Sequence, residues 1–361
     1  MPNELEPMIH KALHEGAVVP AHPLALDENR QLDENRQRGL TRYYIASGAG
    51  GIAVGVHTTQ FEIHENTHGL YKKVLELAAD EVYKANLTKP FIKIAGICGT
   101  TPQALEEAAL AVSLGYDLGL VSLGSLDDWS ENDLLEHLEA IVQVIPVFGF
   151  YLQPSVGGRR LSFQFWKSAA EIPGVMGIKI APFNRYQTLD VVRAVCSSSR
   201  REEIALYTGN DDNIIVDLLT TYRFKIDNKV VEKEIVGGLL GQWAVWTKKA
   251  VELLDDIKKR KRSEDASISY DELLKRNVEL TDVNSAIFDP ANHFAGCLSG
   301  IHEILKKQGL LQGTWCMNPN ESLSHGQMEE IDRVHESYPH LNDDDFVKEN
   351  LSSWIKGNAV Y

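Results

Sequence analysis

Short apolar runs of strand length alternate along this chain with longer segments that carry one apolar face at helical spacing. The runs cover residues 16–19, 51–54, 91–95, 118–123, 147–151, 175–181, 204–207 and 236–241. Between them lie helical patterns such as Leu105, Ala108, Ala109 and Val112, opened by Thr101-Pro102, and Leu134, Leu135, Leu138, Ile141 and Val142, opened by Ser130 and Asp133. A hydroxyl or carboxylate cap followed by apolar residues at this period starts a helix. Strands that alternate with helices must pair in parallel, with helices on the outside. Eight such units without Gly-x-Gly-x-x-Gly after the first strand argue for a closed (β/α)₈ barrel rather than an open dinucleotide-binding sheet.

Two segments break the rhythm. Residues 222–226 and 230–235 alternate as a small hairpin around Asp227-Asn228-Lys229, whose turn is not one of the strong two-residue signals, with the eighth strand following separately. Beyond Gly241 the pattern is all helical, over 244–257, 269–276, 291–308 and 327–338. The expected division is a barrel over 1–245 and a C-terminal helical region over 246–361. The hexamer Leu-Asp-Glu-Asn-Arg-Gln stands twice in tandem at 26–31 and 32–37, too short for a solenoid repeat and read as a loop that leads into a helix capped by Asp33.

Charge excludes some partners. With 51 acidic against 36 basic residues, the net charge of −15 is the wrong sign for nucleic acid or an anionic membrane. The basic run Lys258-Lys259-Arg260-Lys261-Arg262 reads as a solvated helix end. There is no apolar stretch of spanning length, and residues 1–6 lack the basic and apolar regions of a signal peptide. The cysteines at 98, 196, 297 and 316 have neither metal-ligand nor redox-motif spacing. A cytoplasmic protein with reduced thiols is the expectation. His57, His64 and His68 show no ligand set at strand ends.

One residue is out of place in this pattern. Lys179 sits near the end of the sixth run, Val175-Met176-Gly177-Ile178-Lys179-Ile180-Ala181. A central parallel strand is apolar on both faces, so the amine must lie in a pocket or snorkel from the strand end. Burial would favour the neutral amine, a nucleophile toward carbonyls. Barrel chemistry gathers at the C-terminal strand ends, which adds Thr58 and Thr59 after strand two and Tyr151 at the end of strand five. Each has a plainer role open to it: threonines satisfy loop backbone, and a tyrosine packs with a wetted hydroxyl.

These residues resemble the dihydrodipicolinate synthase and N-acetylneuraminate lyase superfamily of class I aldolases. Gly55-Val56-His57-Thr58-Thr59-Gln60 resembles its threonine loop, Tyr151-Leu152-Gln153-Pro154 its Tyr-Asn-x-Pro, Gly177-Ile178-Lys179 its Gly-x-Lys strand, and Gly209-Asn210-Asp211 its Gly-x-Asp segment. The resemblance implies a Schiff base between Lys179 and the ketone of pyruvate or another 2-oxo acid, with an aldehyde as second substrate. It implies Tyr151 as proton shuttle, and Thr58, Thr59, Gly209 and Arg159 as substrate-binding residues. No metal or organic cofactor is implied, because the iminium is itself the electron sink. A homodimer or homotetramer is the implied assembly.

Departures from the family pattern narrow the activity. Val156 stands where dihydrodipicolinate synthases place a carboxylate-binding arginine, and the loop at 122–129 has no tyrosine. A lyase or aldolase other than that synthase is therefore expected. A hydratase-aldolase or dehydratase using the same lysine, and a non-catalytic small-acid or protein binder, are the alternatives.

Overall fold

A computed structural model describes residues 4–65, 67–262 and 268–357; residues 1–3 of the N-terminal stretch considered above lie outside them. Seven strands in chain order are β1 (Val18–Pro20), β2 (Gly51–Val54), β3 (Ile92–Ile97), β4 (Leu118–Val121), β5 (Val147–Leu152), β6 (Val175–Ala181) and β7 (Ala205–Thr208). β8 (Thr221–Ile226) and β9 (Lys229–Leu240) follow. Parallel pairing runs β1-β9-β7-β6-β5-β4-β3-β2, with β8 off this path. The remaining gap is bridged by Ala21 beside Ala53, and His22 N–H donates to Ala53 C=O at 2.8 Å. This is the barrel that the alternation of runs predicts.

Because successive side chains on a strand face opposite ways, the chain builds two cores. Val19, Ala53, Ile94, Leu120, Phe148, Phe150 and Leu239 fill the barrel interior. Ile52, Val54, Ile97, Val121, Tyr151, Ile178 and Leu206 face the surrounding helices. Helix α1 (Pro7–Glu15), which the sequence reading did not anticipate, adds Ile9 and Leu13 to the inner core, and Tyr207 Oη donates to Leu13 C=O at 2.9 Å. That helix closes the N-terminal end of the barrel.

The hairpin differs from expectation in two ways. Its second arm and the eighth barrel strand are one strand, the 12 residues of β9, whose first half pairs antiparallel with β8 and whose second half pairs parallel with β7 and β1. The connection is a two-residue turn after all: Ile226 pairs with Lys229, and Asp227 and Asn228 have φ of 46° and 61°. Left-handed backbone at both central positions suits the right-handed twist of the arms, and Asp and Asn tolerate it better than other non-glycine residues. The tandem hexamers are also used locally. Leu26 bridges Leu32, Asp27 accepts from Asn29 and Gln31 N–H, and Asp33 caps α2 (Glu34–Ser47) through Arg36 N–H.

Helices α3 (Leu70–Ala85), α4 (Thr101–Ser113), α5 (Glu131–Ile141), α6 (Phe163–Glu171), α7 (Arg185–Cys196) and α8 (Ile214–Leu219) lie between the strands. The C-terminal region comprises α9 (Thr247–Lys261), α10 (Tyr270–Phe288), α11 (Cys297–Lys307), α12 (Gln327–Ser337) and α13 (Asp344–Lys356). Buried Asp343 ties it to the barrel helices. Its carboxylate accepts from Tyr43 Oη at 2.7 Å, Lys248 N–H at 3.0 Å and Gln308 Nε2 at 2.8 Å. The basic run at the end of α9 is not merely solvated, because Lys258 donates to Gly16 C=O and Lys261 to Leu218 C=O.

A second tie runs through α3 (Leu70–Ala85). Glu81 there accepts from Arg38 and Arg42, each at 2.6 Å, while Arg42 also donates to Trp354 C=O on α13. Removing one partner of such a buried pair strands the other charge. Glu81→Ala should therefore lower unfolding free energy by about 3 kcal/mol, measured by urea denaturation.

Candidate active site

The C-terminal end of the barrel holds a cleft of about 520 Å³ counted out through its solvent-open mouth. Lys179 on β6 faces it, in register with Phe150 on β5 and Tyr207 on β7, with Nζ 4.4 Å from the centre of the Phe150 ring. Only 7 % of the lysine is exposed. Burial pulls its pKa down to about 8 against the opposing pull of the Asp211 carboxylate. Asp211 faces the same cleft. Burial raises its pKa to about 7, although Gln242 N–H donates to it at 3.1 Å and Lys179 favours its ionised form.

The Gly209-Asn210-Asp211 segment builds this arrangement residue by residue. A Cβ on Gly209 would lie 2.6 Å from Lys179 Cε and 2.8 Å from Ala181 Cβ, so glycine leaves the groove in which the lysine lies. Asn210 is buried and donates to Thr188 Oγ1 at 3.2 Å and Asp217 Oδ2 at 2.9 Å, while its Oδ1 accepts from Phe183 N–H at 3.0 Å. With Asn210 clamped, Asp211 is delivered to the cleft. This carboxylate, together with His57 and Gln153, belongs to the cleft lining and was not singled out as functional from sequence. The signal for Asp211 was its place in the Gly-x-Asp segment.

The loop after β2 divides its labour. Thr58 lines the cleft, and its hydroxyl reaches His22 C=O only at 3.5 Å. Thr59 serves the backbone instead: its Oγ1 donates to His22 C=O at 2.7 Å and accepts from Gly55 and Val56 N–H at 2.9 and 3.2 Å. His64 holds the loop's start through Gly55 C=O at 2.7 Å, with Glu107 3.0 Å from its other ring nitrogen. His57 beside the lysine is kept neutral, its pKa lowered to about 4 by burial and then by Lys179.

Besides Thr59, two more expected site residues lie outside the cleft lining. Tyr151 pairs with Ile180, not Lys179, and points into the outer core, where its ring lies 5.3 Å from Trp166. Its hydroxyl donates to Leu161 C=O at 3.2 Å and accepts from Leu161 N–H at 3.3 Å. A shift of one residue on a strand reverses the face, and it is Phe150 that meets the lysine. Arg159 is spent on the loop after β4, donating to Leu126 C=O at 2.6 Å and Trp129 C=O at 3.0 Å. Neither residue lines the cleft.

The dihydrodipicolinate synthetase family matches residues 15–221, more than half of the chain. The chain belongs to that family. Curated relatives include the N-acetylneuraminate lyase of Citrobacter koseri, 25% identical over 207 residues that cover 56% of this chain and 65% of the relative. The 4-hydroxy-tetrahydrodipicolinate synthase of Ralstonia nicotianae is 25% identical over 206 residues, covering 56% and 64%. The chain thus spans just under two thirds of the length of these relatives.

Solved structures share the fold across nearly the whole chain. A dihydrodipicolinate synthase from Oceanobacillus iheyensis superposes with a TM-score of 0.71 at 15% identity, covering 92% of this chain and 99% of the other. An N-acetylneuraminate lyase from Fusobacterium nucleatum complexed with pyruvate gives 0.68 at 20% identity, covering 91% and 99%.

The geometry separates the residues by expected effect. Gly209→Ala should displace the lysine by the order of an ångström and slow reductive trapping of a carbonyl compound on Lys179 by about 100-fold. Tyr151→Phe should leave trapping within about twofold and cost about 1 kcal/mol in unfolding free energy, the worth of its backbone hydrogen bonds. Peptide mapping and urea denaturation read the two quantities.

Proposed function

We propose that this member of the dihydrodipicolinate synthetase family is a Schiff-base lyase or aldolase for pyruvate or a related 2-oxo acid. The observation that carries the reading is a buried lysine, at a barrel strand end, in one cleft with a buried carboxylate. Burial pushes both groups toward their neutral forms, the lysine pKa down and the Asp211 pKa up, while each charge favours the other. Such perturbed pairs are what nucleophilic and acid–base chemistry requires.

The Lys179 amine attacks C2 of the 2-oxo acid to give a carbinolamine. Protonated Asp211 gives its proton to the departing hydroxyl, water leaves, and an iminium remains. Loss of a C3 proton gives the enamine, which adds to an aldehyde; retro-aldol cleavage runs the same steps backwards. The Thr58 hydroxyl and nearby loop amides bind the carboxylate, and Asp211 with neutral His57 takes over the proton transfers first expected of Tyr151. No arginine lines the cleft among the described residues, and Val156 does. That lining supports an activity other than dihydrodipicolinate synthesis.

Borohydride trapping with pyruvate, read by intact mass and peptide mapping with Lys179→Ala as control, tests the reading. A reduced adduct on Lys179 is expected. Absence of an adduct with any 2-oxo acid, on folded protein, would leave a non-covalent binding role. The pH dependence follows from the two roles. The neutral amine is gained as pH rises toward about 8 and the acid form of Asp211 is lost above about 7, so trapping should be fastest between about pH 7 and 8 and fall on either side. Asp211→Asn removes both the acid and the charge that raises the lysine pKa, so the variant should be slower and its rate should rise with pH to a plateau without the alkaline fall.

A further inference from the structure

The cleft lining is of two chemical kinds. Lys179, Asp211, His57, Thr58 and Gln153 supply its polar part. An apolar wall comes from Phe183 after β6 and from Phe288, Phe294, Cys297 and Ile301 of the C-terminal region. None of those five side chains carries oxygen or nitrogen. A polyhydroxy chain against that wall would leave its hydroxyls without partners, which costs binding steeply. Farther out, the mouth carries Glu62 and Glu321, so a second carboxylate would meet like charge.

Two of the apolar residues are held in place at a backbone cost. Phe183 and Phe294 have φ of 50° and 66°, and their rings face each other at 5.7 Å with planes tilted by 59°. Left-handed backbone is rare for bulky residues and persists where the surroundings over-determine it, often at ligand clamps. Here the surroundings do so on both sides. Phe183 N–H is bound by Asn210 Oδ1. Phe294 N–H donates to Asp289 C=O at 3.0 Å, and the buried Asp289 carboxylate accepts from Asn292 Nδ2, Gly296 N–H and Ser324 Oγ.

We infer that Phe183 and Phe294 form an aromatic collar that binds a flat aromatic substituent on the aldehyde half of the substrate. The inference rests on the Schiff-base reading above. With benzaldehyde as the simplest such aldehyde, the enamine carbon of the Lys179–pyruvate adduct forms a bond to the aldehyde carbon. The carbonyl π pair moves to oxygen, which takes a proton. Water then cleaves the iminium, freeing the amine and 4-hydroxy-2-oxo-4-phenylbutanoate. Offset or edge-on contact with the two rings would hold the phenyl group beside the bond being made.

Two measurements test the collar. Calorimetry compares 4-phenyl-2-oxobutanoate with 2-oxopentanedioate, and initial aldol rates compare benzaldehyde with N-acetylmannosamine, each with pyruvate. The phenyl acid should bind at least about tenfold more tightly than the diacid, and benzaldehyde should be the faster acceptor. Phe183→Ala and Phe294→Ala should each reduce the preference about tenfold while pyruvate trapping on Lys179 is unchanged, with Phe294→Leu intermediate. Preference for the diacid or the amino sugar, or a phenyl preference untouched by all three variants, would overturn the collar. A lack of trapping with any 2-oxo acid would overturn the Schiff-base reading instead, and the calorimetric comparison, which needs no covalent step, would still decide the collar.

Discussion

The structure of this cleft depends on placing one amine where water is scarce. Lys179 lies on a strand whose seven residues are all buried, and its charge is opposed by desolvation and supported by the single carboxylate of Asp211. Neither group would be tolerable alone in that position. An unpaired buried ammonium or carboxylate is driven toward its neutral form, and the pair settles near neutrality instead. The surrounding geometry follows from this: a glycine that clears space for the lysine stem, an asparagine clamped by three partners, and a loop pinned by Thr59 and His64.

Much of the fold was legible because its signal is periodic. Each strand run had to be buried on both faces, and each helix had to show one apolar side, so element order and barrel closure follow from spacing alone. The hairpin was harder. Continuity between its arm and the eighth strand depends on pairing partners far apart in the chain, and the Asp227-Asn228 turn is a weaker statement of a left-handed pair than Asn-Gly.

The site was legible only where chemistry left no substitute. Lys179 stands out as a charge in an apolar strand, whereas Tyr151 is marked only by its place at a strand end and in a Tyr-x-x-Pro segment. Position along a strand does not report facing: the register sets Phe150, not Tyr151, beside the lysine. Arg159 is turned to the loop after β4 for a related reason, since a long guanidinium has loop carbonyls within its reach. The apolar wall from residues 288–301 could not be found by any local pattern. Those side chains read as ordinary helix core until the fold brings them over the barrel mouth.

That wall has a consequence for how such a chain can diverge. The lysine and its carboxylate are encoded before the barrel is finished, and half of the surface that would face the second substrate is encoded after it. Drift in the later segment can therefore reshape what is accepted without touching the groups that would perform the reaction. Conversely, a chain that kept the barrel and exchanged only its tail would carry the same reactive amine into a different pocket. Phe183 lies between the lysine and its carboxylate, but the part of the wall from residues 288–301 occupies a separate stretch of the gene, on which selection can act alone.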